Sequence, residues 1–141
     1  MPLGAIYGTG REAGYAGGMG KGATNGTQDR HQRMLTQAKE RIFQSPVSPY
    51  IRELYLYGSM ARGEETWESD VDLFLVLDEP ETGVDRELKR EILYLKGSIS
   101  GDDIRDPEVD LKVVFGDAWK TSSQIYYDNV RREGIKLWEK N

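Results

Sequence analysis

Two aspartates and a glycine–serine pair are the residues of this chain whose types and spacing could support chemistry. Asp70 and Asp72 open an apolar run that ends at Leu77. If this run is a strand, side chains two residues apart point the same way, which leaves roughly 6 to 7 Å between the Cα atoms of the two aspartates. Two like charges this close in a half-buried setting repel each other. Mg²⁺ prefers carboxylate oxygens and leaves coordination positions open for water and phosphates, so the pair indicates a metal site.

The glycine–serine pair supplies the complementary half of such a site. Gly58 and Ser59 follow a shorter apolar run, and ten residues separate Ser59 from Asp70. Glycine permits a sharp turn out of a strand, and the backbone N–H groups after it, with the Ser59 hydroxyl, can bind an anion. Arg62 could add a guanidinium suited to phosphate oxygens, or it could form weak surface ion pairs with the glutamates that follow it. The segment therefore predicts a triphosphate site opposite the metal.

This spacing of Gly-Ser and Asp-x-Asp resembles the pattern of the DNA polymerase beta-type nucleotidyltransferase superfamily. The fuller strings GSMARG and SDVDL resemble its minimal nucleotidyltransferase (MNT) members, many of which are antitoxin partners of HEPN-domain toxins. The resemblance covers about residues 50 to 139. It implies a nucleotidyltransferase fold for most of the chain.

The resemblance also implies a third carboxylate on a neighbouring strand. Asp110, between Val109 and Leu111, fits that demand. Asp106 and Glu108 are rivals, but Asp106 precedes a proline and Glu108 precedes the strand proper, so both are loop or strand-entry positions. By this resemblance the catalytic and metal-binding residues are Asp70, Asp72 and Asp110, and two Mg²⁺ ions are expected.

The reaction that the resemblance implies is transfer of a nucleoside monophosphate from an NTP to an acceptor hydroxyl, with AMP from ATP as the first expectation and another NTP as the alternative donor. For MNT proteins the acceptor is a tyrosine of the HEPN toxin, so a protein partner or a homo-oligomer is expected. Two alternatives stay open: a small-molecule nucleotidyltransferase of the antibiotic-modifying type, and a non-catalytic antitoxin or binding module that acts by contact.

Composition narrows the remaining function classes. The chain has 141 residues, a net charge of -5 and no lysine- or arginine-rich block, so nucleic acid is an unlikely partner. It has no cysteine and a single histidine, His31, which argues against thiolate and histidine-rich metal sites. No apolar run approaches the length of a membrane span, and a cytoplasmic location is expected.

The pattern along the chain predicts one α+β (α/β two-layer) domain, a small mixed β-sheet of about three to five strands with helices packed mainly on one face. Residues 1–26 hold nine of the sixteen glycines and read as a flexible tail, which leaves 27–141 as the nucleotidyltransferase domain. Tyr94 is expected in the core, and Tyr126 and Tyr127 as packing residues. The predicted elements are a helix over 28–43, strands over 53–57, 70–77 and 108–115, a helix that Gly97 ends, a last helix capped by Ser122 or Ser123, and a short edge strand from Ile135.

Overall fold

The computed structural model describes residues 10–12 and 25–141, which form five strands and four α-helices. Two short 3-10 turns, Ser48–Tyr50 and Ala118–Lys120, lie between them. The α+β class predicted from the sequence is confirmed. The elements are β1 (Gly10–Glu12), α1 (Asn25–Gln44), β2 (Ile51–Tyr57), α2 (Ser59–Arg62), β3 (Val71–Leu77), α3 (Arg86–Ser98), β4 (Val109–Phe115), α4 (Ile125–Glu133) and β5 (Ile135–Lys140).

The five strands form one mixed sheet in the order β1-β5-β2-β3-β4. Only β3 and β4 are parallel, and the crossover that a parallel pair requires contains α3. β3 is a seven-residue apolar strand in which every residue except Asp72 is buried. A strand that is paired on both sides and covered on both faces has an almost continuous apolar sequence. This explains why β3 is apolar except for Asp72.

The two faces of the sheet carry two separate cores. Alternation along β3 directs Leu73 and Leu75 to one face, where they join a large cluster with buried side chains of α1 and α3. Phe74 and Val76 point to the other face and pack with Trp119 and with Val130 of α4. Complete burial of each such side chain stabilises the fold by about 1.5 to 3 kcal/mol. Asp72 belongs to the Phe74 face, so the candidate site lies on the side of the sheet that α4 covers.

The helix boundaries differ from the sequence predictions in detail. The Asp85 carboxylate caps α3 by accepting a hydrogen bond from the Leu88 backbone N–H at 2.8 Å. The prediction that Gly97 ends α3 is wrong, because the helix continues to Ser98. No serine caps α4, which begins after Gln124 without a side-chain cap. Gly134 follows the last residue of α4, as predicted.

One predicted core residue lies on the surface. Tyr94 is 71% exposed, because it projects from the outer face of α3 while Leu88, Ile92 and Leu95 form the buried stripe. The prediction for Tyr126 and Tyr127 is confirmed. Both pack, partly buried, against the Phe74 cluster.

β5 is not an edge strand, because β1 pairs with it antiparallel, with Gly10 opposite Lys140 and Glu12 opposite Trp138. The sequence did not predict β1. A Cβ at Gly10 would lie 1.5 Å from the Trp138 ring, so only glycine fits there. Residues 1–9 and 13–24 of the predicted tail lie outside the described residues, and the domain division stays a prediction. Within the described part of the chain, no helix is long and apolar enough to cross a membrane.

Candidate active site

The backbone bend at Gly58 is built around the carboxylate of Asp72. Gly58 follows the last residue of β2 and has φ of 77°, a left-handed conformation that favours glycine. A Cβ at this position would lie 2.2 Å from Asp72 Oδ2. Glycine is therefore required here both for the conformation of the chain and for the space that the carboxylate occupies. The bend predicted at Gly58 is confirmed, and Ser59 begins α2 directly after it.

Asp72 and Asp110 are direct neighbours across the parallel pair of strands. They occupy the same register position in β3 and β4, whose backbones lie about 4.8 Å apart. Asp72 is half-buried, whereas the side chain of Asp110 is 47% exposed. Val109 and Leu111 point into the larger core, which leaves Asp110 on the same face as Asp72.

The environment of Asp72 makes its charged form unfavourable. Burial raises the pKa of Asp72 to about 6, with further contributions from the negative charges of Asp110 and Asp70. The positive charges of Lys112 and Arg62 act in the opposite direction and lower the pKa. All three acids thus share one electrostatic environment, although Asp110 comes from a different segment of the chain than Asp70 and Asp72.

Asp70 lies one residue before β3 and is exposed, so the prediction that it begins the strand is wrong. Its neighbours fix its position. The carbonyl oxygen of Ser69 lies 2.8 Å from His31 Nε2, and the Val71 N–H donates to the carbonyl of Glu108 at 2.8 Å. His31, the single histidine, is fully buried and therefore holds the backbone that carries Asp70.

The three aspartates are not gathered as a ready-made cage. Within residues 10–12 and 25–141, no group of three or more carboxylate or histidine side chains is arranged to hold a metal ion. Asp110 instead pairs with Lys112, whose Nζ lies 3.1 Å from Asp110 Oδ2. The chemistry of the donors still fits a hard divalent cation, because all are carboxylates. A bound cation would offset both the burial of the Asp72 charge and its repulsion from the other two acids.

Sequence reasoning missed two side chains of this site. Tyr57 faces Asp72 across β2 and β3 and is 6% exposed. Burial, followed by the charges of Asp72 and Asp110, raises the pKa of Tyr57 above its ordinary value, so a neutral phenol lies beside the carboxylates. Lys112 is the second. It lies two residues after Asp110 on the same face of the strand, and this alternation could have predicted it from the sequence.

Residues 37–131 match the nucleotidyltransferase domain family. The chain belongs to this family. The match of this nucleotidyltransferase spans both the Gly58 bend and the two strands that carry Asp72 and Asp110.

Solved structures with a similar fold include a candidate nucleotidyltransferase from Sulfolobus solfataricus, with a TM-score of 0.53, 23% identity, and coverage of 83% of this chain and 90% of that chain. The toxin–antitoxin MntA–HpeT in a mutant form has a TM-score of 0.43 and 17% identity. A toxin–antitoxin with AMP-PNP has a TM-score of 0.41 and 18% identity. Each of these two similarities covers 79% of this chain and 74% of that chain. No curated protein matches the sequence significantly.

Arg62 of the nucleotidyltransferase is engaged in two ion pairs. Its Nε lies 3.1 Å from Glu64, and a terminal guanidinium nitrogen lies 2.9 Å from Glu133 at the end of α4. Of the two roles open for Arg62 in the sequence, the structure therefore shows ion pairing. A phosphate contact by Arg62 stays a prediction, as do those of Gly58 and Ser59.

Glu65 differs from its sequence interpretation as a surface partner of Arg62. It is 2% exposed, and within the described part of the chain its Oε2 atom has no hydrogen-bond partner. A buried carboxylate without partners is unfavourable for folding. The segment between the Gly58 bend and Asp70 thus carries a buried carboxylate with one unsatisfied oxygen, which composition alone does not reveal.

Proposed function

We propose that this nucleotidyltransferase moves AMP from ATP to an acceptor hydroxyl and releases pyrophosphate. The observation that carries the proposal is the position of Asp72, which packs against the Gly58 backbone and lies in register beside Asp110. The bend proposed to bind phosphate and the pair of carboxylates therefore lie together, where β2 ends and β3 and β4 begin.

The chain's own groups account for the transfer as follows. The acceptor oxygen attacks the α-phosphorus, the bond from that phosphorus to the bridging oxygen breaks, and pyrophosphate leaves with the bridging oxygen. Asp110, the more accessible carboxylate, receives the hydroxyl proton. The Ser59 hydroxyl and the backbone at Gly58 bind the phosphates opposite. Asp70, Asp72 and Asp110 would hold two Mg²⁺ ions, which when bound neutralise phosphate charge and favour the attacking alkoxide.

For the acceptor we propose a tyrosine of a partner protein, a HEPN-type toxin. Support comes from the strings GSMARG and SDVDL, which resemble those of MNT antitoxins. In this role the modification of the toxin would neutralise it.

A second candidate function is an antitoxin that acts by contact alone. It is favoured by the ion pair of Asp110 with Lys112, which places a protein cation at the carboxylates. The two candidates differ in whether the acids bind a metal and a nucleotide at all.

Thermal denaturation in ATP and Mg²⁺ tests the nucleotide site. At a ligand concentration 100-fold above Kd, binding stabilises the fold by about 2.7 kcal/mol, which corresponds to roughly 8 °C in Tm. We expect this rise in the wild type and its loss in Asp72→Asn. Glu81→Gln, which removes an exposed carboxylate beyond the opposite end of β3 from Asp72, is the control. A full response in Asp72→Asn would show that the assignment of the site is wrong.

The acceptor is tested with ATP labelled at the α-phosphate and the product of a neighbouring gene. Covalent label on that protein, with none when the label is on the γ-phosphate, supports AMP transfer. Absence of label, combined with neutralisation of the toxin by Asp72→Asn, would instead establish the contact-only antitoxin.

A further inference from the structure

A second cavity borders the candidate active site without sharing its aspartates. It has a volume of about 580 Å³ and is lined by the middle of α1 from Arg30 to Gln37, by Trp67 before β3, and by Arg105 and its neighbours before β4. Sites for small molecules fall between about 300 and 1,000 Å³. Trp67 precedes Asp70 by three residues, so their Cα atoms are at most about 11 Å apart.

The charges of the cavity favour an anion. Arg30 is 8% exposed, and its guanidinium donates to the backbone carbonyls of Arg105 (2.9 Å) and Trp67 (2.6 Å). These partners are neutral, and no carboxylate within residues 10–12 and 25–141 lies at ion-pair distance from Arg30. Buried charges in proteins are normally paired, so this guanidinium has an uncompensated charge.

The other charged groups of the cavity leave a positive balance. Arg33 is exposed and, as far as the described residues go, has no hydrogen bond or ion pair. Arg105 is paired with Asp103 at 2.8 Å, and Asp106 adds one opposing negative charge. Three arginines face two aspartates in a chain whose net charge is -5.

Trp67 adds a surface for a planar group. The guanidinium of Arg30 lies 3.9 Å from its ring centroid, and the residue is nevertheless 52% exposed. Trp119 and Trp138 are 5% and 3% exposed. Nucleobases stack on exposed aromatic rings, and arginines bind their phosphates. An exposed tryptophan beside an arginine without a partner in the described part of the chain therefore suits a nucleotide.

We infer that this cavity binds a nucleoside monophosphate group, with the base stacked on Trp67 and the phosphate bound by Arg33. The site is separate from the one proposed for ATP, and binding requires no divalent cation. The base contacts the Trp67 ring. The phosphate neutralises the excess positive charge of the cavity, part of which comes from Arg30.

Binding of AMP in the presence of EDTA tests this assignment by titration calorimetry. We expect saturable binding that falls at least about fivefold in Trp67→Leu and in Arg33→Gln, since stacking or a charge-assisted phosphate contact is each of that order. Adenosine and ribose 5-phosphate, which each lack one half of the ligand, should bind at least about fivefold more weakly for the same reason. Arg90→Gln, on the exposed face of α3, should bind AMP as the wild type does. In the wild type, quenching of the exposed Trp67 should accompany binding.

Asp72→Asn separates this inference from the proposed function. That variant should lose the Mg²⁺-dependent part of the response to ATP but retain AMP binding in EDTA. The inference is overturned if AMP fails to bind, if it binds equally to the Trp67 and Arg33 variants, or if Asp72→Asn alone removes it. Binding of a 5′-phosphorylated dinucleotide with the same dependence on Trp67 would also support the site. It would show that the bound group can be the 5′ end of an oligonucleotide and need not be a free nucleotide.

Discussion

Replacing Asp72 with Asn should stabilise the fold in the absence of metal, and only above acidic pH. Asp72 is the one residue of β3 that is not fully buried, and its carboxylate lies beside two other acids. Asn has nearly the same shape and no charge. The substitution therefore removes the repulsion and the unfavourable burial of a charge while it retains the contact with Gly58.

The magnitude follows from the pKa of Asp72, which rises from 3.8 in water to about 6 in the folded protein. At about 1.4 kcal/mol per pH unit, this difference corresponds to about 3 kcal/mol, and we halve it to about 1.5 kcal/mol because the half-buried side chain is screened by solvent. Between pH 3.8 and 6 the folded chain binds a proton that the unfolded chain has released. The stability of the wild type consequently falls as pH rises through this window, and the full penalty applies above it.

Urea denaturation of both proteins in EDTA, at a series of pH values from about 4 to 8, measures this difference. The free energy of unfolding of Asp72→Asn should exceed that of the wild type by about 1.5 kcal/mol at the upper end and by nearly zero at the lower end. Asp102→Asn, in the exposed loop before β4, controls for removal of one negative charge from an acidic chain. A difference that does not vary with pH, or a less stable Asp72→Asn at neutral pH, would refute the reasoning.

Two further substitutions test the supports of the site. Gly58→Ala should destabilise the fold by about 1 to 3 kcal/mol more than Gly83→Ala in urea denaturation, because both glycines have positive φ but only at Gly58 would the added Cβ meet a neighbour, Asp72. Equal effects of the two variants would mean that Asp72 does not pack against the bend. His31→Leu should lower the free energy of unfolding by about 1 to 3 kcal/mol, because the ring nitrogens lie 2.9 and 2.8 Å from the backbone carbonyls of Thr27 and Ser69 and the substitution removes both contacts. A loss below about 1 kcal/mol would indicate that water replaces the ring.

The sequence predicts the parts of this protein that depend on local pattern. The apolar run before Gly58 and the one after Asp70 predict β2 and β3, and apolar neighbours favour Asp110 over its rivals. Strand alternation alone places Asp72 and Asp110 on defined faces. Their adjacency, however, requires the parallel register of β3 with β4, and no local feature reports that register.

The remaining features depend on contacts between distant segments. Arg62 pairs with Glu133, which lies 71 residues later, and Tyr57 becomes part of the site only through its pairing with Asp72. β1 lacks any apolar alternation, because its pairing with β5 uses backbone groups and a glycine against Trp138. The glycine-rich composition predicted a flexible tail for this segment, whereas pairing with β5 makes its three residues a strand.

The register that creates the site is itself set by the core. Val71 pairs with Val109 and Leu77 with Phe115, so the whole length of β3 and β4 is matched. A slip of one residue in either strand would direct Asp72 or Asp110 into the larger core and an apolar residue to the outer face. The burial of an unpaired carboxylate there would cost more than the repulsion between the two acids in the observed register. The hydrophobic pattern of the two strands therefore holds the two carboxylates together against their mutual repulsion, and the chain needs no bound ion to bring them into the same register.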